Sequence, residues 1–566
     1  RYESMSVNTD YGKYSFSTDQ WIAAPKDPAD LYTRMAYVRE NHWKLTHLLN
    51  YNQTFYKHDI GMLLGFEEER FVKRTTDTAK LGLIDSSVGD PSSATTPSSI
   101  GGTGEEFTSR SYFGRINYAF DSRYLFEVNM RYDGSSRFAP DNRWGLFPSF
   151  SAGWRISEEK FMKGLPIDNL KLRASWGKLG NNAIGNYEWQ AVYNSAKYAF
   201  GGSLNNGLAI TSISNNLLEW ESTAITNIGI DFATLRNRLT FEAEFYNKVT
   251  DGILYRPDMY MSLGTASGPR QNIAEVTNRG IEMTLNWQDR IGKVEYRVSG
   301  NFAYNQNKVS KYKGELQRGW VTDENGNRVY QTNIGDVSTG GSTRVIEGKM
   351  INEYYMLQPY KGNGNGFNAD GTVNINGGPR DGMIRTVDDM KWLNAMVGAG
   401  YKFYPRQNVS KSGIWYGDYI YADLNGDGVY GNDADNEFQG CSNVPKYNFG
   451  LQASANWKGF DFSMNWSGAA GFKIYYYRLA LNSSATIKGY AIGEAIANDH
   501  YFFDPKNPND PRTNLSSKNP RLTNNSGNDQ SGMTQSSVHL QKGDYIKLKN
   551  LTIGYTLPAV LSKKVY

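Results

Sequence analysis

Apolar and polar residues alternate along much of the chain. From Tyr112 to Phe120 the even positions are Tyr112, Gly114, Ile116, Tyr118 and Phe120, whereas Arg115 and Asn117 take odd ones. After Asp121-Ser122-Arg123 the alternation resumes, with Tyr124, Phe126, Val128, Met130 and Tyr132 set against Glu127, Asn129 and Arg131. Successive side chains on a strand point to opposite faces, so the two runs predict a hairpin with one apolar and one charged face. The pattern recurs. Phe150, Ala152, Trp154 and Ile156 precede Leu170, Leu172, Ala174 and Trp176, and Ile228, Ile230 and Phe232 precede Leu239, Phe241, Ala243 and Phe245. Further on come Ile281 to Trp287, Tyr296 to Tyr304, Tyr447 to Ala453 and Phe460 to Trp466, with a less regular pair at Leu45 to Phe55 and Ile60 to Phe66. At about 10 residues per spanning strand this amounts to roughly fourteen strands.

The connections decide where such hairpins reside. Short turns at 121–123, 234–238, 288–293 and 458–459 alternate with long polar excursions at about 72–110, 178–222, 251–277, 306–445 and 467–540. Loops in soluble sandwiches are commonly about 2 to 6 residues. Short turns on one rim and long loops on the other instead mark an outer-membrane barrel, in which closure pairs every backbone group that lipid would leave unsatisfied. Tyr112, Tyr124, Tyr132, Trp154, Trp176, Trp287, Tyr304, Tyr447 and Trp466 fall at or near strand ends, as an aromatic girdle requires. The same residues could fill the core of a large sandwich. Against that, Arg115, Glu127, Arg131, Arg173, Glu242 and Glu244 make the opposite face charged, which suits a wet lumen better than a second packed layer.

Composition agrees. Of 566 residues 14% are aromatic and 58 are Gly, and no stretch approaches the about 20 consecutive apolar residues of a helical span. A formal charge of +4 gives no basic field for nucleic acid. The single cysteine, Cys441, excludes an internal disulfide and a cysteine-cluster metal site.

Several segments, in order, are similar to the SusC/RagA family of TonB-dependent outer-membrane transporters. They are Leu49 to Phe55 leading to His58 and Gly65-Phe66-Glu67, Phe113 to Tyr118, Arg131 to Phe138, and Trp144 to Ser149 running to Gly153-Trp154-Arg155. Leu172 to Gly177 with Gly180-Asn181, Asn278 to Glu282, Asp423 to Gly428, Pro445-Lys446-Tyr447 and Asp544 to Leu551 follow. The resemblance implies an all-β transmembrane antiparallel barrel, of 22 strands in the family, closed by an N-terminal plug and capped by a SusD-like surface lipoprotein. Residues 1–566 are then expected to be the middle and C-terminal part of the barrel, without the plug or the segment that contacts TonB. Expected surroundings are outer-membrane lipid, lipopolysaccharide and an oligosaccharide or peptide substrate. A barrel that has become a structural accessory of a larger assembly is a second reading, and a soluble calcium-dependent adhesin a third.

Candidate chemistry is sparse. Asp423, Asn425 and Asp427 with Gly428 carry oxygen donors and a glycine at the spacing that opens a calcium loop. Its twelfth position is Ala434, flanked by Asp433 and Asp435, and an Asx-rich turn explains the same residues. The five histidines are scattered, Glu242 and Glu244 read as wall charge, and no nucleophile elbow, zinc helix or phosphate loop occurs, so the chain is not expected to be an enzyme. Loop aromatics, notably Trp320, Trp392, Trp415, Tyr416 and Tyr419, are placed to meet a substrate or a capping partner, or to pack among themselves.

Overall fold

The computed structural model describes residues 2–8, 11–15, 20–24, 31–83, 89–255, 269–312, 319–322, 328–331, 347–476, 494–522 and 536–558. Fourteen strands form one sheet, each beside the next in chain order. They are β1 (Tyr2–Asn8), β2 (Tyr32–Phe55), β3 (His58–Leu83), β4 (Ala94–Phe120), β5 (Tyr124–Ser135), β6 (Trp144–Arg155), β7 (Ile167–Asn181), β8 (Glu221–Thr234), β9 (Leu239–Tyr255), β10 (Gln271–Ile291), β11 (Val294–Tyr312), β12 (Tyr447–Trp457), β13 (Phe460–Ala470) and β14 (Tyr545–Tyr555). The short turns join consecutive strands through left-handed backbone, at Tyr56 (φ 53°), at Asp121 and Ser122 (both 52°) and at Lys458 with Gly459 (47° and 88°). Such turns match the right-handed twist of the flanking strands and fix hairpin register.

The chain divides into two compact units. One comprises Arg1–Trp154, Ser175–Ala224 and Gly252–Asn272, and the other Arg155–Ala174, Ile225–Asp251 and Ile273–Tyr566. In the first, antiparallel pairing aligns Tyr51, Met62, Ile116, Val128 and Phe150 in one row and Leu49, Leu64, Gly114, Met130 and Pro148 in the next. The row between them holds Asn50, Leu63, Arg115, Asn129 and Ser149, and the row on the far side of Tyr51 holds Asn52, Gly61, Asn117, Glu127 and Ser151. The apolar rows are open: Leu49 is 67% exposed, Leu64 63% and Ile116 48%. A sandwich would bury them. An exposed apolar surface this continuous is costly in water and natural in lipid.

The second unit repeats the arrangement with other residues. Trp287, Val298, Ala453, Met464 and Leu551 share a row, as do Met283, Phe302, Phe449, Gly468 and Ile546. Their neighbours Arg297, Ser299, Gln452, Ser454, Ser463, Asn465, Asn550 and Thr552 pair on the polar face. There Arg173 bridges Asp231 (3.0 Å) and Glu244, so Glu244 is held in an ion pair.

Aromatic rings border the apolar rows at two levels. His58 stacks near Phe120 (4.9 Å) and Phe120 near Tyr124 (6.3 Å) at the turn end, while Phe66 meets Tyr112 (5.4 Å) and Tyr132 meets Trp144 (4.8 Å) at the other. Tyr112 and Phe120 lie on one strand, separated by about 26 Å at the usual rise. That spacing suits an apolar band about 25 Å tall.

One expectation is corrected here. The excursion foreseen at 72–110 is largely strand, because β3 runs on to Leu83 and β4 begins at Ala94. The register continues unbroken past the girdle from Glu67↔Ser111 to Thr78↔Ile100, with Arg34 to Asp77 (2.7 Å), Lys73 to Glu40 (3.2 Å) and Arg70 to Glu106 (2.8 Å) pairing across strands. Polarity marked this stretch as loop because both faces are hydrophilic once the strands leave the band. Backbone pairing does not require an apolar face, and cross-strand charge pairs support it.

Ile116→Arg, at the middle of the apolar face, is expected to destabilise the folded protein in lipid vesicles by about 2–4 kcal/mol. Ser151→Arg, on the polar face, is expected to change it by less than about 1 kcal/mol. Denaturant titration of vesicle-reconstituted protein distinguishes them, and equal penalties would contradict the assignment of faces.

Candidate functional site

The second unit carries, between β11 and β12 and again after β13, a body with its own core. Leu357, Tyr360, Met383, Ile384, Met390, Trp392, Leu393, Met396, Phe403, Ile420 and Tyr421 are among its buried residues. Helix α1 (Val387–Gly398) supplies four of them, Met390, Trp392, Leu393 and Met396. It starts where Thr386 accepts the Asp389 N–H while the Asp389 carboxylate accepts the Thr386 N–H, a reciprocal cap. Asp388 and Asp389 in the first turn suit the positive end of the helix dipole. The Trp392 indole N–H donates to the Asn374 carbonyl (2.8 Å), and its ring stacks on Tyr360 at 5.2 Å. Gly378, at φ 69°, lies so close that a Cβ there would come within 2.4 Å of the indole, so this position demands glycine both for conformation and for space.

A buried ion pair ties the distant parts of this body together. Asp418, 2% exposed, accepts from Arg521 Nε (2.8 Å) and Nη2 (2.9 Å) and from the Trp415 backbone N–H (2.8 Å). Arg521 also donates to the carbonyls of Lys411 (3.1 Å) and Gly413 (3.2 Å). Burial pushes the Asp418 carboxyl up from its ordinary value, and the guanidinium pulls it back. Tyr501 closes the same region, its hydroxyl donating to the Arg385 carbonyl (2.5 Å) while Gly417, at φ 86°, leaves room for its ring.

Beside that pair opens a cleft of about 660 Å³. Trp415, Tyr416, Phe502, Phe503 and Arg512 are among the residues that line it, and the rings of Tyr416 and Phe503 meet at 5.1 Å. Of the aromatic residues expected at a contact surface, Trp415 lines the cleft partly exposed, whereas Tyr416, also beside it, is only 6% exposed and belongs to the core. Trp392 and Tyr419 are not available to a ligand. Trp392 is wholly buried, and Tyr419 is almost so, its hydroxyl donating to the Lys518 carbonyl (2.7 Å) and held by burial up to about 12. Trp320 lies opposite Tyr330 in the two-stranded pair Gly319–Thr322 and Arg328–Gln331, with its side chain outside the described residues. Phe502 and Phe503 were missed, although the run Tyr501-Phe502-Phe503 in an otherwise polar segment is visible in the sequence. Arg521 carried no signal, because its partner is 103 positions away.

The Asp423 turn gathers its predicted residues and then uses them up. Asp423 accepts the N–H groups of Gly426 (2.7 Å) and Gly428 (2.9 Å), Asn425 accepts that of Asp427 (3.0 Å), and Asp427 accepts that of Val429 (2.8 Å). Asp435 accepts from Leu424 (2.7 Å), Asn425 (3.4 Å), Gly431 (2.8 Å) and Asn432 (3.1 Å). Burial, with Asp423 nearby, outweighs those N–H groups and lifts the Asp435 carboxyl to about 6. Asp433 sits in the adjoining 3-10 turn Asp433–Asp435. Among the described residues no three His, Cys, Asp or Glu side chains converge as a metal site would require. The arrangement has the hydrogen bonds of an Asx-rich turn.

Replacing Arg521 by Met leaves Asp418 buried without its partner, which is expected to cost about 3–5 kcal/mol. Hydrogen exchange across residues 347–522 should rise accordingly, and the double variant Arg521→Met/Asp418→Asn should recover part of the loss. Unchanged protection in the single variant would contradict the role given to the pair.

Residues 2–560 match the family model described as TonB dependent receptor-like, beta-barrel. A TonB-dependent receptor of Formosa agariphila is 29% identical over 534 residues, covering 91% of this chain and 46% of the relative. The TonB-dependent receptor SusC of Bacteroides thetaiotaomicron is 28% identical over 467 residues, covering 81% and 38%. Among solved structures the RagAB peptide transporter superposes with a TM-score of 0.67 at 20% identity, over 94% of this chain and 50% of that one. The chain therefore spans less than half the length of these two curated relatives. With the match running nearly end to end and the sheet, girdles and exposed apolar rows in place, the chain belongs to the TonB-dependent receptor-like β-barrel family of the bacterial outer membrane.

Proposed function

We propose that the protein is the SusC-like barrel of an outer-membrane importer that takes up oligosaccharides or peptides, powered through TonB and capped by a SusD-like surface lipoprotein. The observation that carries this reading is the family match over residues 2–560 together with an apolar face exposed for lipid. The SusC relative supports the kind of receptor, and the RagAB structure, described as a peptide transporter, supports the fold. No reaction is proposed, since the charged residues described above are engaged in ion pairs and turns.

The capping partner is proposed to land on the first unit. The hairpin Val192–Phe200 and Ser203–Ser212 carries Tyr193, Leu204, Leu208 and Ile210 on one face, each at least 52% exposed. Such an apolar patch on a loop hairpin is the kind of surface that a protein interface covers. The accessory-subunit reading has no observation of its own in its favour.

Deleting the gene should abolish uptake of a labelled oligosaccharide or peptide by the native host, and deleting TonB should do the same with the protein present. Uptake that survives the loss of TonB would contradict active import and favour the accessory role. For the Asp423 turn we propose closure without a metal. Chelation by EGTA is expected to leave the melting temperature unchanged, whereas a calcium-dependent rise that Asp423→Ala removes would restore the calcium reading.

A further inference from the structure

We propose that Arg39 and Arg74, side by side on the lipid-side face of β2 and β3, hold an acidic group on the core saccharide of lipopolysaccharide. The inference needs only the outer-membrane setting and does not depend on import.

The two faces of the sheet differ in charge where it leaves the lipid. From the row of Arg110 to that of Ile100, the face that continues Ile116 and Leu64 carries four arginines, Arg39, Arg70, Arg74 and Arg110, against two carboxylates, Glu68 and Glu106. The opposite face, which continues Asn117, carries Lys44 and Lys73 against Glu40, Glu67, Glu69, Asp77 and Glu105. Solubility alone calls for both signs interspersed on each face. Here the excess of cations, all of them arginine, stands on the side that meets the outer leaflet.

Two of those arginines are already satisfied. Arg110 donates to both Glu68 oxygens (3.1 Å), and Arg70 reaches Glu106 through Nε and Nη2 (both 2.8 Å). Arg39 and Arg74 are not. They lie directly opposite one another in the β2–β3 register and both are exposed. Among the described residues neither has a hydrogen-bond or ion-pair partner. Like charges directly opposite destabilise a strand pair, and an anion held between them removes that cost. Neighbouring guanidinium forks suit the oxygens of a phosphate or carboxylate. On β4 the same face offers only Gly102 and Gly104 beside the pair. The Arg74 guanidinium lies so near Gly104 that a Cβ there would come within 2.9 Å of Nη1. Next to the two charges, the floor is thus bare backbone on which a sugar ring can rest.

Height decides which lipid supplies the anion. The row of Arg39 and Arg74 meets β4 at Gly104, eight residues beyond Tyr112. That is about 27 Å along the strand, or about 20 Å above the girdle at a tilt of about 40°. Headgroups occupy only about 5–8 Å on each side of a bilayer, so a phospholipid phosphate does not reach the pair. Lipopolysaccharide carries further phosphates and carboxylates on a saccharide that rises above the acyl phase, and these do. Trp43, 47% exposed and opposite Arg70, lies on the same face between the girdle and the pair, where an amphipathic ring suits the boundary of lipid and sugar.

Native mass spectrometry of the purified full-length protein in detergent, with EDTA present, tests this. The probes are rough-type lipopolysaccharide of the native host, its lipid A without the core, phosphatidylglycerol and inorganic phosphate. Rough lipopolysaccharide should bind, and Arg39→Gln/Arg74→Gln should weaken it about tenfold or more. Arg39→Lys/Arg74→Lys, which keeps the charge without the fork, should fall between. Lys73→Gln, one residue away on the opposite face, should leave binding unchanged. Lipid A alone, whose phosphates lie at the girdle, should bind wild type and the Gln variant equally, which also reports that the variant is folded. The proposal is overturned if rough lipopolysaccharide does not bind, or binds wild type and the Gln variant alike. It is overturned too if lipid A or phosphatidylglycerol shows the same loss, or if equimolar inorganic phosphate displaces the lipopolysaccharide, which would leave a site for free anions only. A copurifying protein that the Gln variant loses while lipopolysaccharide binding holds would assign the pair to a protein partner instead.

Discussion

An acyl phase offers no hydrogen bonds to a backbone that enters it, and that constraint organises the molecule. Each strand pairs with the next through backbone donors and acceptors, and each turns its apolar alternate residues the same way. The rows through Ile116 and Leu64 in one unit and through Val298 and Met464 in the other use different residues for the same purpose. Gly468 stands in an apolar row because the Phe449 ring of the paired strand lies over it, so that a Cβ there would come within 2.2 Å of that ring.

Where the strands rise past the aromatic rings, the constraint relaxes. There β2, β3 and β4 keep their pairing but exchange grease for ion pairs, and the loops build a protein interior of the ordinary kind. The body around Trp392 is held by a capped helix, by close approach at Gly378 and by the buried Arg521 to Asp418 pair. It has a dry core of its own, separate from the sheet, whose apolar side is exposed. The cleft at Trp415 is placed by that core, as its wall includes the residue whose N–H Asp418 holds.

The spanning part was legible because its signal is local. Tyr112 to Tyr132 shows period two, a turn and period two again within 21 residues, and the structure pairs them as read. The extension of β3 and β4 was not legible, because a strand with water on both faces loses the alternation that reveals it. The same limit governs the loop aromatics. Whether Trp392 or Trp415 meets the solvent depends on contacts with Asn374, Tyr360 and Arg521, which are set by the fold at long range and leave no mark on neighbouring residues. The Asp423 motif was visible as a pattern, but a pattern of oxygen donors does not say whether they face a cation or the N–H groups of their own turn.

The central claim is that one side of this sheet meets lipid and the other meets water. Spin labels at Leu64→Cys, Ile116→Cys and Val298→Cys, compared with Asn117→Cys, Ser151→Cys and Gln452→Cys in a Cys441→Ala background, report it directly in reconstituted vesicles. The account predicts collision chiefly with oxygen for the first set and with a water-soluble nickel chelate for the second. Equal access of the chelate to both sets, or shielding of the first set from both reagents, would contradict it.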